Sequence, residues 1–530
     1  MRVALILSLG TSATLSLAQD GFEPADFNVT EALFQNGVNV SAIPELAPLS
    51  QRSLSNPCSI ACDSLRLIYG SKVFIQGAEY EAFTDAYWSN QASAVNPYCI
   101  FNPTQALEVS TLVLISRFTQ CPFAVKSGGH TAFPGASSIE GGITVSLEAL
   151  NEISLSPDKK IAAVGTGNRW GRVYTTLAEH NITVAGGRAS DVGVGGLLLG
   201  GGVSHHSNIY GFGCDNVASF EVVTASGVII NVSRTKFPDL YWALRGGGNN
   251  FGIVTKFNLE SFSQGQIWGG FRVHLEPQYP ALIEAFANMV ESATEDPKAV
   301  QILSFAVTAG SPAAQIELEY IVPVDNANPP AILKEYLSIP AIMDGTANRT
   351  LASATDNLSA QMPDGHRYSF WAATFKLNRD LMTWMREKHA QDVGSLPDQG
   401  SLTFQAFTVP AIQQMKKNGG NALGLDAADG PLFHVLLYMV WEDSTKDKLL
   451  NKAAQTFINA AKAEAKSRGL ASDYIYQNYA GPYQNVIPGY GAVNLQRLKS
   501  IAKKYDPTAV FQTLQPGGFK LEGAPYGEVI

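Results

Sequence analysis

Three clusters of glycine between residues 126 and 252 constrain this chain more than any other feature. They are Lys126-Ser-Gly-Gly-His-Thr131, Ala185-Gly-Gly-Arg-Ala-Ser-Asp-Val-Gly-Val-Gly-Gly-Leu-Leu-Leu-Gly-Gly-Gly202 and Arg245-Gly-Gly-Gly-Asn-Asn-Phe-Gly252. Glycine has no Cβ and leaves its backbone N–H groups bare, so runs of glycine let a chain close upon a pyrophosphate. Glycine also marks ordinary turns in β-rich domains, but three long clusters so close together favour a nucleotide-binding domain.

The clusters do not match the two commonest nucleotide-binding motifs. None has the G-x-G-x-x-G pattern with a following acidic residue, and none contains the Gly-Lys-Ser/Thr of a triphosphate-binding loop. A Rossmann NAD site and a kinase-like site are therefore disfavoured.

Composition indicates a globular chain whose partner is a small molecule. A chain of 530 residues that is 45% hydrophobic and 16% charged can bury more than one core, so at least two domains are expected. The formal net charge of −9 gives little reason to expect binding to nucleic acid or to an anionic membrane. The sequence does not indicate an oligomeric state.

The first residues match a secretory signal peptide. Met1-Arg2, an apolar stretch and the small-residue site Ser16-Leu-Ala18 predict cleavage after residue 18. No later stretch reaches the ~18 uninterrupted apolar residues that cross a bilayer. A secreted glycoprotein is expected, because Asn-x-Ser/Thr sites occur at Asn28, Asn39, Asn181, Asn231, Asn348 and Asn357.

The cysteines indicate disulfides rather than a metal site. Cys58, Cys62, Cys99 and Cys121 lie in the first quarter of the chain, and in an oxidising compartment they could form two disulfides by any of three pairings. Neither their spacing nor the histidines resemble a zinc site, so no metal is expected. The remaining Cys214 is expected to be a buried thiol.

The order of predicted elements is typical of an α+β protein. After a lead-in at residues 19–61, β-rich runs alternate with glycine turns, at residues 123–126, 143–147 and 161–164 and in the hairpin-like pair 220–224 and 228–232. A short helix is predicted at residues 170–180. Amphipathic helices around residues 282–290 and 450–461 then indicate a second domain, and a last helix stops at Asp506-Pro507.

Lys126-Ser-Gly-Gly-His130 resembles the R/K-S-G-G-H motif of the FAD-linked oxidases related to berberine bridge enzyme, in the vanillyl-alcohol-oxidase superfamily. Asn249-Asn-Phe-Gly-Ile-Val-Thr255 is similar to their G-G-N-F-G-I-V-T stretch, and Tyr476-Gln-Asn-Tyr479 resembles the segment that completes their flavin site. The resemblance covers residues 62–521. It implies an α+β fold with a PCMH-type FAD-binding domain built from residues 62–262 and 471–530. An inserted α+β substrate domain, an antiparallel sheet covered by helices, would occupy residues 263–470.

The resemblance implies that FAD is covalently bound through its 8α carbon to His130. Many relatives hold a second bond, from a cysteine at the position of Ala189, so a single link is expected here. Val192 stands where a small side chain leaves dioxygen a path to the flavin, which favours an oxidase. Leu197 departs from the histidine that is frequent in relatives. The expected cofactor-binding residues are Lys126, Ser127, Gly128, Gly129, His130, Thr131, Ala189, Ser190, Asp191, Gly193, Gly195, Gly196, Gly201, Gly202, Gly252, Val254, Asn478 and Tyr479.

Two residues are candidate catalytic bases. Residues 433–442 predict a strand whose alternation places His434, Tyr438 and Glu442 on one face. Trp441-Glu442 resembles a W-E pair of relatives whose glutamate lines the active site, and Tyr479 matches the tyrosine of their N-Y pair. Glu442 could equally end a strand and face water.

The sequence therefore predicts a secreted oxidase that transfers a hydride from a small alcohol, amine or activated C–H substrate to FAD, with dioxygen as the electron acceptor and hydrogen peroxide as product. Cyclisation of a natural product is one form of this reaction. An oligosaccharide oxidase is the second alternative. A dehydrogenase with another acceptor and a flavin-bearing binding protein remain further alternatives.

Overall fold

The computed structural model describes residues 22–43, 46, 56–308, 311–394, 396 and 399–529. The predicted signal peptide lies outside these residues. Within them the strands form three sheets of four, six and nine strands, which follow one another along the chain. The α+β class expected from the sequence is confirmed.

The first sheet is mixed and lies nearest the N-terminus. Its order is β1-β2-β4-β3, in which β4 is parallel to both of its neighbours. The strands are β1 (Val73–Phe74), β2 (Cys99–Phe101), β3 (Phe123–Lys126) and β4 (Ile143–Ser146). Because β3 ends at Lys126, the first glycine cluster leaves the sheet at the carboxyl end of a strand.

The second sheet is antiparallel and carries the other two glycine clusters on its connections. The strands are β5 (Ile153–Leu155), β6 (Ile161–Gly165), β7 (Ile182–Val184), β8 (Val217–Val223), β9 (Ile229–Ser233) and β10 (Ile253–Ser263). The predicted hairpin is confirmed as β8 and β9, which pair antiparallel. The second cluster follows β7, and the third precedes β10.

The third sheet is a large antiparallel sheet. It follows the order β14-β11-β13-β12-β17-β18-β16-β19, and β15 pairs with β11. The strands are β11 (Ile267–Leu275), β12 (Ala299–Thr308), β13 (Ser311–Tyr320), β14 (Met343–Asp344), β15 (Ala347–Arg349), β16 (Arg367–Lys376), β17 (Gln399–Phe407), β18 (Leu432–Trp441) and β19 (Ala471–Ser472).

The α-helices range from single turns to a helix of 21 residues. They are α1 (Val29–Gln35), α2 (Pro57–Tyr69), α3 (Ala78–Asp85), α4 (Asn90–Ser93), α5 (Ala106–Thr119), α6 (Trp170–Ala178), α7 (Val194–Leu199), α8 (Ser207–Tyr210), α9 (Pro238–Leu244), α10 (Tyr279–Glu291), α11 (Ala331–Ser338), α12 (Leu351–Ser359), α13 (Arg379–Asp392), α14 (Val409–Gln414), α15 (Asp447–Ser467), α16 (Ala492–Tyr505) and α17 (Val510–Thr513). In the described residues no helix combines the length and the apolar character needed to cross a membrane.

Strand alternation gives the third sheet two faces with different neighbours. On one face Leu303, Ile316 and Val435 pack with α10, α13 and α15 in a single apolar core. The residues between them, such as Ser304, point to the opposite face, because successive side chains of a strand alternate. That opposite face forms one wall of the cavity described below.

Two disulfides tie the described N-terminal region to the first sheet. Asn56 caps α2 by accepting a hydrogen bond from the Ser59 N–H at 3.1 Å, and Pro57 begins the helix. The helix thereby presents Cys58 and Cys62 one turn apart on a buried face. Of the three possible pairings, the observed bonds are Cys58–Cys121 and Cys62–Cys99, and Cys214 is a buried free thiol as expected.

The C-terminal segment returns to the first two sheets after α17. The Leu514 carbonyl accepts from the Phe123 N–H at 2.7 Å, beside the first glycine cluster. The Asn249 amide donates to the Gly517 carbonyl at 3.0 Å, and the Asn250 amide donates to the Phe519 carbonyl at 3.0 Å. The C-terminal segment therefore packs beside the first and third glycine clusters.

Candidate functional site

The first two glycine clusters are pressed directly against each other. A Cβ on Gly193 would lie 2.2 Å from the Gly128 nitrogen, so no larger residue fits there without movement of the backbone. Ser127 locks the contact, because its Oγ donates to the Thr166 carbonyl at 2.7 Å and accepts from the Gly195 N–H at 3.1 Å. Arg169 crosses both loops, donating to the Gly128 carbonyl at 3.1 Å and the Asp191 carbonyl at 2.9 Å.

His130 projects from this junction with its ring held on two sides. The ring stacks on Trp88, with centroids 4.2 Å apart and planes inclined by 13°. Its Nε2 lies 3.2 Å from Asp191 Oδ2. Burial works to raise the pKa of Asp191, but the hydrogen bonds from His130 and Ser359 outweigh burial and hold that pKa below its usual range. Asp191 is therefore an ionised partner of the imidazole.

A cavity of about 870 Å³ extends from the glycine clusters to the third sheet. Most of the predicted cofactor residues line it: Ser127, Gly128, Gly129, His130, Thr131, Ala189, Gly193, Gly195, Gly196, Gly252, Val254, Asn478 and Tyr479. Val192 and Leu197 line it as well. A Cβ placed on Gly196 would meet no atom within 4 Å, so the space above this backbone belongs to the cavity.

Five of the predicted cofactor residues do not line the cavity. Lys126 is buried away from it, with Nζ 4.0 Å from the Phe83 ring centroid, and burial lowers its pKa to about 8. Ser190 bonds to Ser359 Oγ at 3.2 Å, and Asp191 reaches the cavity only through His130. Gly201 and Gly202 form a turn with positive φ of 112° and 83° behind the wall. These residues shape the loops that carry the lining residues.

Tyr479 contributes a phenol to the lining of the cavity. Its hydroxyl accepts a hydrogen bond from Arg188 Nη2 at 2.8 Å, and the same nitrogen donates to the Gln405 side chain. Asn478 anchors the segment, because its amide donates to the Leu197 carbonyl at 3.0 Å. Burial lowers the pKa of Arg188, but its interactions with Tyr479 and Glu317 outweigh burial and raise that pKa. Arg188 therefore stays charged.

Glu317 adds a buried carboxyl group to the lining of the cavity. It lies on β13 and lines the cavity, with 3% of its surface exposed. Burial raises the pKa of Glu317 to about 7, against the opposing charges of Arg188 and Arg349. Glu319, two residues along the strand, is buried as well, and burial together with Glu317 raises its pKa. Buried acidic groups of the third sheet thus lie within electrostatic range of the charged Arg188 of the second glycine cluster.

The far end of the cavity is largely apolar. The third sheet and the segments beside it contribute Phe271, Val273, Leu275, Ile302, Ala306, Ala313, Ile342, Met343, Leu358, Met362, Phe370 and Leu436. The polar residues among them include Ser304, Gln315, Ser401 and Thr403, and Gln315, Ser304 and Thr403 lie opposite one another on three adjacent strands. Such a lining suits a mainly apolar molecule that is oriented by a few hydrogen bonds.

The structure places Glu442 outside the cavity. The residue follows β18, its side chain is 68% exposed, and it is hydrogen bonded to His366. The predicted alternation of β18 is present, since Leu436 and Tyr438 do line the cavity. However, Glu442 lies beyond the end of the strand, where the sheet edge meets solvent.

Sequence reasoning missed Arg188, Gln405 and Glu317. Arg188 lies inside the second glycine cluster, and an arginine amid glycines near a predicted flavin site is a signal that could have identified it. The pattern Gln315-Ile-Glu317-Leu-Glu319 instead indicates a strand with one solvated face. No local pattern shows that this polar face is covered by the other half of the protein.

Comparisons with known proteins agree with this geometry. A family model described as an FAD binding domain matches residues 97–233. The FAD-dependent monooxygenase FUP4 of Fusarium proliferatum is 36% identical over 465 residues, covering 84% of this chain and 89% of the relative. Glucooligosaccharide oxidase from Acremonium strictum, which carries a 6-S-cysteinyl, 8α-N1-histidyl FAD, aligns with a TM-score of 0.72 at 19% identity, over 88% of this chain and 100% of that chain.

A solved variant of berberine bridge enzyme has the same fold. It aligns with a TM-score of 0.69 at 16% identity, over 85% of this chain and 98% of that chain. The lined cavity, the open backbone above Gly196 and the histidine at the loop junction fit FAD as the bound group. The chain belongs to the family of FAD-dependent oxidoreductases that includes the Fusarium proliferatum relative, its fold is that of berberine bridge enzyme, and it is an enzyme that uses FAD.

Proposed function

We propose that this chain is a secreted oxidase in which FAD is joined by one covalent bond to His130. The enzyme oxidises a small, mainly apolar organic molecule by two electrons, and dioxygen is reduced to hydrogen peroxide. Residues 62–262 and 471–530 bind FAD, and residues 263–470 bind the substrate. The observation that carries the proposal is one continuous cavity, bounded by the glycine clusters and His130 on one side and by the third sheet on the other.

A single bond to the flavin is supported by the residues at the two possible attachment points. His130 lines the cavity, and the position at which many relatives hold a second bond is Ala189, which has no nucleophilic atom. When bound, the flavin would accept a hydride, which carries both electrons of the oxidation, from the substrate. The neighbouring Val192 also lines the cavity, and its small side chain supports access of dioxygen.

Tyr479 is the group placed to accept the proton that leaves the substrate. It faces the cavity and its oxygen contacts the guanidinium of Arg188, which stabilises negative charge on that oxygen. Glu442 is not placed for this role, because it lies outside the cavity and its exposed carboxylate is hydrogen bonded to His366. We therefore assign the base to Tyr479 alone.

The apolar far end of the cavity supports a substrate other than a sugar. An oligosaccharide presents many hydroxyl groups, and burying them against aliphatic side chains without partners costs free energy. The lining of Phe271, Val273 and Ile302 is better matched to an alcohol, amine or activated C–H within a hydrocarbon skeleton. A screen of both substrate classes with peroxide detection tests this choice, and turnover of oligosaccharides alone would refute it.

Secretion is supported by the N-terminal sequence, by the disulfides and by the positions of the glycosylation sites. Among the described residues, Asn28, Asn39, Asn181, Asn231 and Asn348 are exposed, whereas Asn357 is half-buried. Both observed disulfides require an oxidising compartment to persist. Expression of the full chain in a eukaryotic host, with the medium assayed for a glycosidase-sensitive protein that starts at residue 19, tests the proposal.

A second candidate function is monooxygenation, favoured by the name of the Fusarium proliferatum relative. An oxidase releases one hydrogen peroxide for each substrate oxidised, whereas a monooxygenase places one oxygen atom of dioxygen in the product. Turnover under ¹⁸O₂ separates the two, because only the monooxygenase product gains ¹⁸O. Stoichiometric peroxide with an unlabelled product is the result expected here.

A further inference from the structure

His130 and Asp191 form a hydrogen-bonded pair with a defined proton position. The described residues offer His130 no other hydrogen bond than the one between Nε2 and Asp191 Oδ2, at 3.2 Å. An ionised carboxylate can only accept hydrogen bonds, so Nε2 must carry the ring proton. The neutral imidazole then keeps its lone pair on Nδ1, the other ring nitrogen.

Ser359 fixes the carboxylate from the opposite side. Its hydroxyl donates to Asp191 Oδ1 at 2.6 Å and accepts from the Asp191 N–H at 3.3 Å. The residue ends α12, which belongs to the part of the chain proposed to bind substrate. Asp191 is thus held between a histidine of one glycine cluster and a helix that comes from the other half of the protein.

We propose that Asp191, held by Ser359, is a positioning residue that sets the tautomer of His130 for its bonding to the flavin. This inference rests on the proposed attachment at His130. The attachment forms a bond between Nδ1 and the 8α carbon. One proton leaves that carbon and one leaves the imidazole, and the two electrons and both protons are passed to dioxygen, which becomes hydrogen peroxide.

Replacing Asp191 by asparagine tests the tautomer directly. Because Ser359 donates to the oxygen at the Oδ1 position, the amide of Asp191→Asn places its NH₂ group toward the histidine. Nε2 must then accept a hydrogen bond, and the proton moves to Nδ1, which loses its lone pair. In a histidine-dependent site the loss of an orienting carboxylate slows reaction steeply, so attachment is expected to slow at least about 100-fold.

The experiment measures attached flavin and not turnover. The full chain is purified after growth with little riboflavin and then incubated with FAD in air, and samples are denatured in acid over time. Flavin in the pellet reports the covalent bond, and flavin in the supernatant reports non-covalent binding. We expect the Asp191→Asn protein to release nearly all of its FAD into the supernatant.

Ser359 provides a milder test that does not depend on folding of the first variant. Ser359→Ala should slow attachment several-fold, whereas Ser359→Thr keeps the hydroxyl and should restore it. Since Ser359→Ala also removes the glycosylation site at Asn357, Asn357→Gln serves as its control. Asp356→Asn removes an exposed carboxylate of the same helix and should leave attachment unchanged.

The outcomes separate this inference from the proposed function. Wild-type protein that never retains flavin in the pellet would overturn the attachment to His130 and, with it, the role of Asp191. Wild-type protein that does retain flavin, together with Asp191→Asn or Ser359→Ala protein that acquires it equally fast, would overturn the role of Asp191 while leaving the attachment in place.

Discussion

Replacement of Arg188 by methionine removes a buried positive charge beside Tyr479 and keeps most of the apolar stem. Arg188 Nη2 lies 2.8 Å from the Tyr479 hydroxyl, and Arg188 is 5% exposed. Unit charges about 4 Å apart attract by about 4 kcal/mol at an effective dielectric constant of about 20. Tyr479 can accept the proton only as the phenolate, which Arg188 stabilises; Glu317 offsets part of this attraction, and the phenolate gives up part of its charge to the proton in the transition state. We therefore take about half, or about 2 kcal/mol, which is about 30-fold in rate.

The assay is anaerobic stopped-flow reduction of the flavin by a substrate from the screen. Arg188→Met should slow reduction about 30-fold, and Arg188→Lys should recover part of the rate because it keeps a positive charge. The single variant Arg188→Met leaves the buried carboxyl group of Glu317 without the positive charge of Arg188, which could impair folding. The double variant Arg188→Met/Glu317→Gln removes this carboxylate as well and therefore controls for misfolding. The exposed Arg172→Met is the matched control and should reduce at the wild-type rate.

The reasoning also predicts how the two cavity residues combine. Once Tyr479→Phe has removed the phenol, Arg188→Met should cause little further loss, because the charge no longer has a phenolic oxygen to stabilise. Reduction of Arg188→Met at the wild-type rate would refute the argument. An equal loss from Arg188→Met in the presence and absence of Tyr479 would show that the arginine acts on something else.

Three further predictions concern stability and oxygen. Because the pKa of Glu317 is raised to about 7, the folded protein binds a proton more tightly than the unfolded chain, and stability falls as pH rises through that range. The melting temperature of Glu317→Gln minus that of wild type should therefore become more positive as the pH is raised from about 5 to about 8. A difference in melting temperature that does not change with pH would contradict this. The Cys58–Cys121 bond closes 63 residues, so the double serine variant should lose about 4 kcal/mol of unfolding free energy. Urea titration measures the loss, and its slope should increase because the unfolded variant is less compact. Val192→Leu should slow flavin reoxidation by dioxygen while leaving anaerobic reduction unchanged, and equal reoxidation rates would remove Val192 from the oxygen path.

Local sequence patterns predicted much of the framework. Residues 123–126 form β3 as expected, and the helix predicted near residues 450–461 is present as α15 (Asp447–Ser467). These elements are specified by signals within one segment, namely β-branched runs, apolar residues at helical spacing and glycine at the ends. The proposed FAD-binding role of the glycine clusters also came from sequence, because the clusters contain the motif that resembles a known family.

The remaining features depend on contacts between distant segments. Cysteine spacing allowed three pairings, and only the packing of α2 against the first sheet selects Cys58–Cys121. Glu317 lies in an alternating strand whose polar face would be solvated if the glycine clusters and the C-terminal segment did not cover it. Glu442 continues the alternation of β18 correctly, but strand periodicity does not show where the sheet ends and solvent begins.

The absorption spectrum of the acid-precipitated, washed protein tests the account most directly. If His130 holds FAD covalently, the wild-type pellet is yellow and shows flavin absorption bands, whereas the pellet of His130→Ala is colourless and its flavin remains in the supernatant. A wild-type pellet without flavin bands after growth with ample riboflavin would contradict the central claim, as would a His130→Ala pellet that keeps the colour.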